Sequence, residues 1–573
     1  MMPETAPGIT TERPMGIETE FGIAHADPAE RGDVGASSSI MLSHLVVGAY
    51  ALLAPEQGPR GHRVRWDYGD ESPLRDARGF EIQRAAAHPT QLTDSVRDAH
   101  VPSIDLDIPL AAAEVAPEGE DAEILDWALR RSISNAVLTG GARWYVDHAH
   151  PEYSSPEVLR AREGVLVDRA GEVVAQRTME ILAAAEGVPD VALYKNNTDG
   201  KGASYGTHEN FLLDRAVPFD RVVAALVPFL ASRAIVVGAG RVGIGTRGQD
   251  EGFQISSRAD FFEAEVGLET TLNRPIVNTR DEPHADASRF RRLHVIIGDA
   301  NLLETPTYLK LGMTSLVLAA LEREHATGER ILPRISLADP VAAVHTISHD
   351  LSLTAPLPLT DGGTITALEI QRAVWSAVGS VLDAADAESA DVHAQWGELL
   401  ALLAQDREAA ADRVEWVAKL QLLEGYRARH GLAWGDPRLR MIDLQFADLR
   451  PARSLYGKLR AAGRVRTLVT EEEAARAAVE PPASTRAHLR GRLIREHPRH
   501  VTSAGWDVIT LAGDAADGLT LRCADPRLGA RSWQDAHGID PAADVDEILA
   551  ALRELTDTPP PRTGAQHTGG TTP

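Results

Sequence analysis

The sequence predicts an α+β protein with one large and one small domain, and three observations carry that expectation. Strand-like segments before residue 300 hold polar residues at alternate positions. Residues 307–430 show apolar positions at three- and four-residue spacing, the mark of helices. From about 432 the pattern changes to a small α+β unit that includes the strand pair GWDVITL and GLTLRCA.

The elements follow in order. Residues 1–14 (MMPETAPGITTERP) lack the basic start and apolar middle of a secretory signal, and are expected to form a disordered leader. The strand MGIETEFGI points Glu18 and Glu20 the same way, and two like charges held close are costly unless a cation sits between them. Residues 40–54 have helical spacing. Residues 81–121 are rich in Ala, Pro, Asp and Glu and too long for an ordinary connection. They read as a mobile insert beside the chemistry, either a gate or a bare insertion. A helix is expected over ILDWALRRSISNAVL. It leads into RWYVDHAHPEYSS, residues 143–155, where Tyr145 and Asp147 share strand parity and Pro151, lacking an amide hydrogen, is expected to end the ladder. Further strands are read in VALYKNN, HENFLL, IVNTR and RRLHVIIGDAN. A large domain thus spans 15–431, a small one 432–557, and the tail 558–573 is expected to be disordered.

Composition excludes several classes of function. Cys523 is the single cysteine, which leaves no internal disulfide and no cysteine-based zinc site. A net charge of −25 opposes generic nucleic-acid binding, and no run of about 18 uncharged apolar residues suggests a membrane span. A cytoplasmic location is expected. The Walker spacing and an HExxH helix are both missing.

What remains is metal–nucleotide chemistry. Glu18, Glu20, Tyr145 and Glu152 offer oxygen ligands, and His208 and His294 offer imidazole. Arg143, Arg291 and Arg292 are candidate phosphate ligands, although the adjacent pair must face opposite sides of its strand. Residues 278–286 (NTRDEPHAD) are too polar for core and read as site-lining. Each of these residues alone is more often structural. Together, polar groups at strand positions that should be buried favour a site. Asp147 is the candidate nucleophile or general base.

The motifs GIETEFGI, GARWYVDHAHPEYSSPE, LYKNNTDGKGASYGTHENFLL, RPIVNTRDEPHADASRFRRLHVIIGDAN and PPASTRAHLRG resemble those of the Pup ligase and depupylase family, relatives of glutamine synthetase. The resemblance runs from about Met15 to the 550s and favours the depupylase branch. The ligase branch has Val-Gly-Ser where this chain has His148-Ala149, and it lacks both the run from Gly200 to Tyr205 and the insert at 81–121. The resemblance implies a glutamine-synthetase-like curved, largely antiparallel sheet backed by helices. It implies a metal shell of Glu18, Tyr145, Glu152, His208 and His294, with Asp147 catalytic. Glu18, Thr19, Glu20, Phe21, Gly22, Arg143, Ser155, Asn210, Arg292 and Trp506 would lie along the nucleotide. The implied activity is Pup deamidation and depupylation, with Mg2+ and ATP, or ADP plus phosphate, as cofactors that are not consumed. The implied partners are Pup and pupylated proteins, met by a monomer; an ATP-consuming Pup ligase is the alternative.

Overall fold

A computed structural model describes residues 7–26, 36–57, 64–69, 71–83, 87, 120–130, 133–199, 204–243, 251–512, 518–537 and 540–557. Most of the expected insert at 81–121, residues 1–6 of the expected leader and the whole tail from 558 lie outside them.

The centre is a six-stranded sheet built from β1 (Met15–Glu20), β2 (Asn135–Val137), β3 (Arg143–Asp147), β4 (His150–Ser154), β5 (Thr207–Asp214) and β6 (Phe290–Val295), in the order β6-β5-β1-β4-β3-β2. Every pairing in it is antiparallel. Because side chains alternate across a pleated strand, each strand is divided between two environments. Ile17, Trp144, Tyr153, Phe211, Leu213, Leu293 and Val295 face one way and are all buried. Against them pack α1 (Ala36–Leu53), α3 (Ala161–Ala184) and α5 (Glu304–Thr327), while α2 (Asp121–Arg130) packs on α1 and α4 (Phe219–Val237) on α5. Trp144, fully buried, is an anchor whose truncation to Ala would cost about 3–5 kcal/mol. Among the described residues of the sheet itself, one carboxylate points to this apolar side, Glu209 on β5. Arg233 of α4 donates to both of its oxygens at 2.7 Å, so the buried charge is matched.

Four expectations are corrected here. Residues 135–137 form β2 and do not continue a helix, because pairing with β3 captures Asn135, Ala136 and Val137. Pro151 does not end the ladder: β3 and β4 form a hairpin turning at His148 and Ala149, and Pro151 sits opposite Val146 within it. Pairing of β4 with β1 reaches only as far as Glu152, so the nitrogen of Pro151 faces no partner strand, while its carbonyl accepts the Phe21 N–H. The segment expected as a disordered leader is packed from residue 7. Ile9 is buried and bridges to Leu382, and Arg13 pairs with Glu322 at 2.6 Å. Finally, the core shows no break at 432, since Phe446, Tyr456, Val465 and Ala478 belong to the apolar cluster of α1, α3, Trp144 and Tyr153.

A separate apolar cluster joins Val64, Trp66 and Val137 to Leu489, Val501, Ile509, Leu511, Trp533 and Leu552. Its sheet comprises β7 (Val501–Ala504), β8 (Val508–Ala512) and β9 (Gly518–Arg522), extended by the short strand Arg65–Trp66, which runs parallel to β7. That early segment is thus part of the C-terminal unit. Glu157, just after β4, fastens the unit to the main sheet. Arg486 Nε and Arg490 Nη2 each donate to its carboxylate at 2.6 Å.

Burial alone would raise the Glu157 pKa, but the two guanidinium groups outweigh it and hold the carboxyl at about 2, against an ordinary 4.5. Its contribution to stability is therefore complete above about pH 4.5 and is lost as pH falls toward 2. Glu157→Gln leaves two buried cations short of their anion and is expected to cost about 3 kcal/mol. Thermal unfolding measured from pH 7 to pH 2.5 should show the gap between wild type and variant closing as acid is added.

Candidate active site

The other face of the central sheet carries the polar groups. Registration places Glu18 of β1 opposite His208 of β5, Glu20 opposite Glu152 of β4, Glu152 opposite Tyr145 of β3, and Asn210 of β5 opposite His294 of β6. Strand pairing thus gathers on one surface residues as far apart in sequence as Glu18 and His294, 276 positions.

These groups form two clusters. In the first, ligand atoms of Glu18, His208 and His294 all lie within 4.8 Å of one another. Glu18 accepts from Asn210 Nδ2 at 2.9 Å and lies 3.2 Å from His208 Nδ1. Burial opposes its ionisation, but His208, Arg292 and Asn210 outweigh that and keep its pKa below the ordinary value. His294 Nδ1 lies 2.9 Å from Asn210 Oδ1, an acceptor, which leaves Nε2 with a free lone pair. Burial, with the charge of Arg292, pushes His294 well below its usual pKa, so it stays neutral as a metal ligand must.

In the second cluster, ligand atoms of Glu20, Asp147 and Glu152 lie within 4.8 Å of one another. Burial and the charges of Asp147, Glu20 and Glu18 drive Glu152 well above the ordinary carboxylate range. Tyr145, whose phenol is also raised well above normal, mainly by burial, keeps its proton and hydrogen-bonds to Glu152. Such crowding of hard oxygen donors fits a cation such as Mg2+, which would relieve the repulsion. Asp147 stands at the hairpin tip with its side chain 38% exposed, open to a reacting group. Burial works against its charge, yet His148, His208 and His150 hold its pKa below normal. His148, at φ 52° in the turn, lies 3.0 Å from Asp147 and is raised to about 9 by that carboxylate. Gly206 is required between the clusters, because a Cβ there would collide with His208 Nε2 and come within 2.7 Å of Glu20 Oε1.

Beside the first cluster a cavity of about 80 Å3 is lined by Glu18, Ser155, Asn210, Arg292, His284 and Trp506. Trp506 reaches it from the C-terminal unit and packs edge-on against Trp66, with ring centroids 5.1 Å apart. Arg292 donates to Asn210 Oδ1 at 3.1 Å and to Glu282 at 3.2 Å. Arg143 lies over the rings of Trp66 and Tyr145, at 4.2 and 3.9 Å, and donates to Asn135 Oδ1.

Five expected residues stand differently. The residues expected to form one metal shell fall into two groups, Glu152, bonded by Tyr145, lying with Glu20 and Asp147, and Glu18, His208 and His294 lying together. Thr19 and Phe21 turn their side chains into the buried face, where Phe21 meets Trp144, so only their backbone is on offer to a ligand. Gly22 continues past β1, and a Cβ on it would strike the Tyr205 hydroxyl. Sequence reasoning missed Trp66, Tyr68 and Glu71, which surround Arg143. Their only signal was the aromatic and acidic density of RWDYGDE. The site-lining reading of 278–286 agrees with the positions of Glu282, Pro283 and His284.

Because Glu152 has a raised pKa, the metal-free protein should lose stability as pH rises above the ordinary carboxylate value of 4.5 and through the folded pKa. Glu152→Gln should remove that loss. With Mg2+ at a hundredfold its Kd, wild type should gain about 2.7 kcal/mol and the variant clearly less. Unfolding in EDTA and in Mg2+ measures both, and equal gains would remove Glu152 from the cation site.

Comparison with known proteins agrees with this geometry. A family described as Pup-ligase protein matches residues 13–510. The Pup deamidase/depupylase of Mycobacterium tuberculosis is 43% identical over 549 residues, 94% of this chain and 99% of the relative. That of Mycolicibacterium smegmatis is 44% identical over 545 residues, with the same coverage. A Pup–protein ligase of Acidimicrobium ferrooxidans is 43% identical over 389 residues, 65% of this chain and 83% of the relative. Among solved structures, the ligase PafA in complex with Pup has a TM-score of 0.69 at 28% identity, covering 95% of this chain and 93% of PafA. PafA in complex with ADP has a TM-score of 0.65 at 31% identity, covering 80% and 99%. With its motifs, its sheet and its match across most of its length in accord, the chain belongs to the Pup-ligase protein family.

Proposed function

We propose that this chain is a Pup deamidase and depupylase. It hydrolyses the isopeptide between Pup and a substrate lysine, and converts the C-terminal glutamine of Pup to glutamate. The observation that carries the reading is the ionised, half-exposed Asp147 at the tip of a hairpin, set against Glu20 and Glu152. Relatives named as deamidase/depupylase match 94% of the chain, and the ligase of Acidimicrobium matches 65%, which favours hydrolysis over ligation.

ATP, or ADP with phosphate, and Mg2+ are proposed as cofactors that are not consumed. Glu18, His208 and His294 would hold one cation, and Glu20 and Glu152 a second. Arg292, Asn210 and Trp506 border the cavity proposed for the nucleotide. Bound there, Mg2+ would supply fixed positive charge to a developing oxyanion. Asp147 acts on the carbonyl by direct attack or by taking a proton from water, and both routes need its charged form. Overall, the C–N bond breaks, the hydroxyl of water joins the carbonyl carbon and the nitrogen takes the remaining proton.

Incubation with glutamine-ended Pup, Mg2+ and ATP should give the small mass gain of amide to acid, with little ADP formed. Stoichiometric ADP and a Pup–lysine conjugate would instead establish a ligase. Asp147→Asn should lower turnover by a factor on the order of 10²–10⁴ while nucleotide affinity, read by titration calorimetry, persists. Loss of nucleotide affinity would reassign Asp147 as a metal ligand.

A further inference from the structure

A cavity of about 840 Å3 lies on the side of β6 opposite Arg292. Its apolar wall includes Phe219, Val223 and Val227 of α4, together with Val266 and Leu337. Arg291 also lines it and is only 7% exposed. The guanidinium donates to the Val217 carbonyl at 3.0 Å and lies 5.3 Å from the centre of the Phe219 ring. Its Nε is buried with no hydrogen-bond partner among the described residues. Asp281, whose charge favours the cation, is committed through both oxygens to Arg215, at 2.7 and 2.9 Å. A buried cation with an unused donor and no carboxylate of its own is costly, and an arriving anion would relieve that cost. The other charged residues of the wall differ. Asp220 and Glu265 are exposed, and Arg78 and Arg334 are exposed and paired with Asp76 and Glu324.

We propose that this cavity binds a small organic anion, a carboxylate or phosphate ester with an apolar body, whose charge meets Arg291 and whose body packs against α4. The volume is that of metabolite-sized sites, about 300–1,000 Å3. The depth of Arg291 favours a small molecule over the surface of a folded partner. The proposal is independent of the amide hydrolysis proposed above, since binding is measured without turnover.

Octanoate and octyl phosphate present two anionic heads on one body, octanol is a neutral control, and inorganic phosphate lacks the body. In calorimetric titration of the full chain, the two amphipathic anions should bind saturably, and octanol and inorganic phosphate about tenfold more weakly or worse. The tighter of the two heads identifies the ligand class. Arg291→Met should abolish the preference for anions. Val223→Trp, which fills the cavity from α4, should weaken both anions while the unliganded circular dichroism spectrum is unchanged. Anion binding to Arg291→Met as tight as to wild type would overturn the proposal, as would octanol matching octanoate. Should Arg291→Met not fold, undiminished binding to Val223→Trp overturns it.

Discussion

Repulsion among carboxylates gathered on one sheet face is the constraint on which the site depends. Glu20, Asp147 and Glu152 crowd together with Glu18 close by, and the cost appears as the high pKa of Glu152. Such a surface persists only if the opposite face supplies stability and if cations visit the polar one. The opposite face does so, through Trp144, Phe211, Leu293 and the helices over them. Matched pairs such as Arg233 with Glu209 allow an acid on that side to be buried without a deficit.

Much of this was legible because strand parity is local. Glu18, Glu20, Tyr145, Asp147, His208, Asn210, Arg292 and His294 could each be assigned to a polar face from their immediate neighbours. Parity also sends Thr19 into the core, so reading the run from Glu18 to Gly22 as one block missed the alternation. Register is not local. The division of one expected metal shell into two clusters follows from Glu20 pairing with Glu152 across β1 and β4, which no stretch of sequence states. Trp66, Tyr68 and Glu71 escaped because they lie on short, irregular segments without a period. Pro151 misled because the cost of a missing amide depends on where the neighbouring strand stops.

The segment Arg65–Trp66 has a consequence for synthesis. It forms a parallel pair with Ser503 and Ala504, more than 400 residues later in the chain. Until the ribosome has delivered that partner, Trp66 lacks the cluster that buries it, and Arg143 lacks a settled aromatic lid. Closing so long a loop is slow, and exposed apolar surface in the meantime invites aggregation. Competence for chemistry should therefore arrive late in biogenesis, after release of nearly the whole polypeptide, and an incomplete nascent chain would carry the acids without the means to use them.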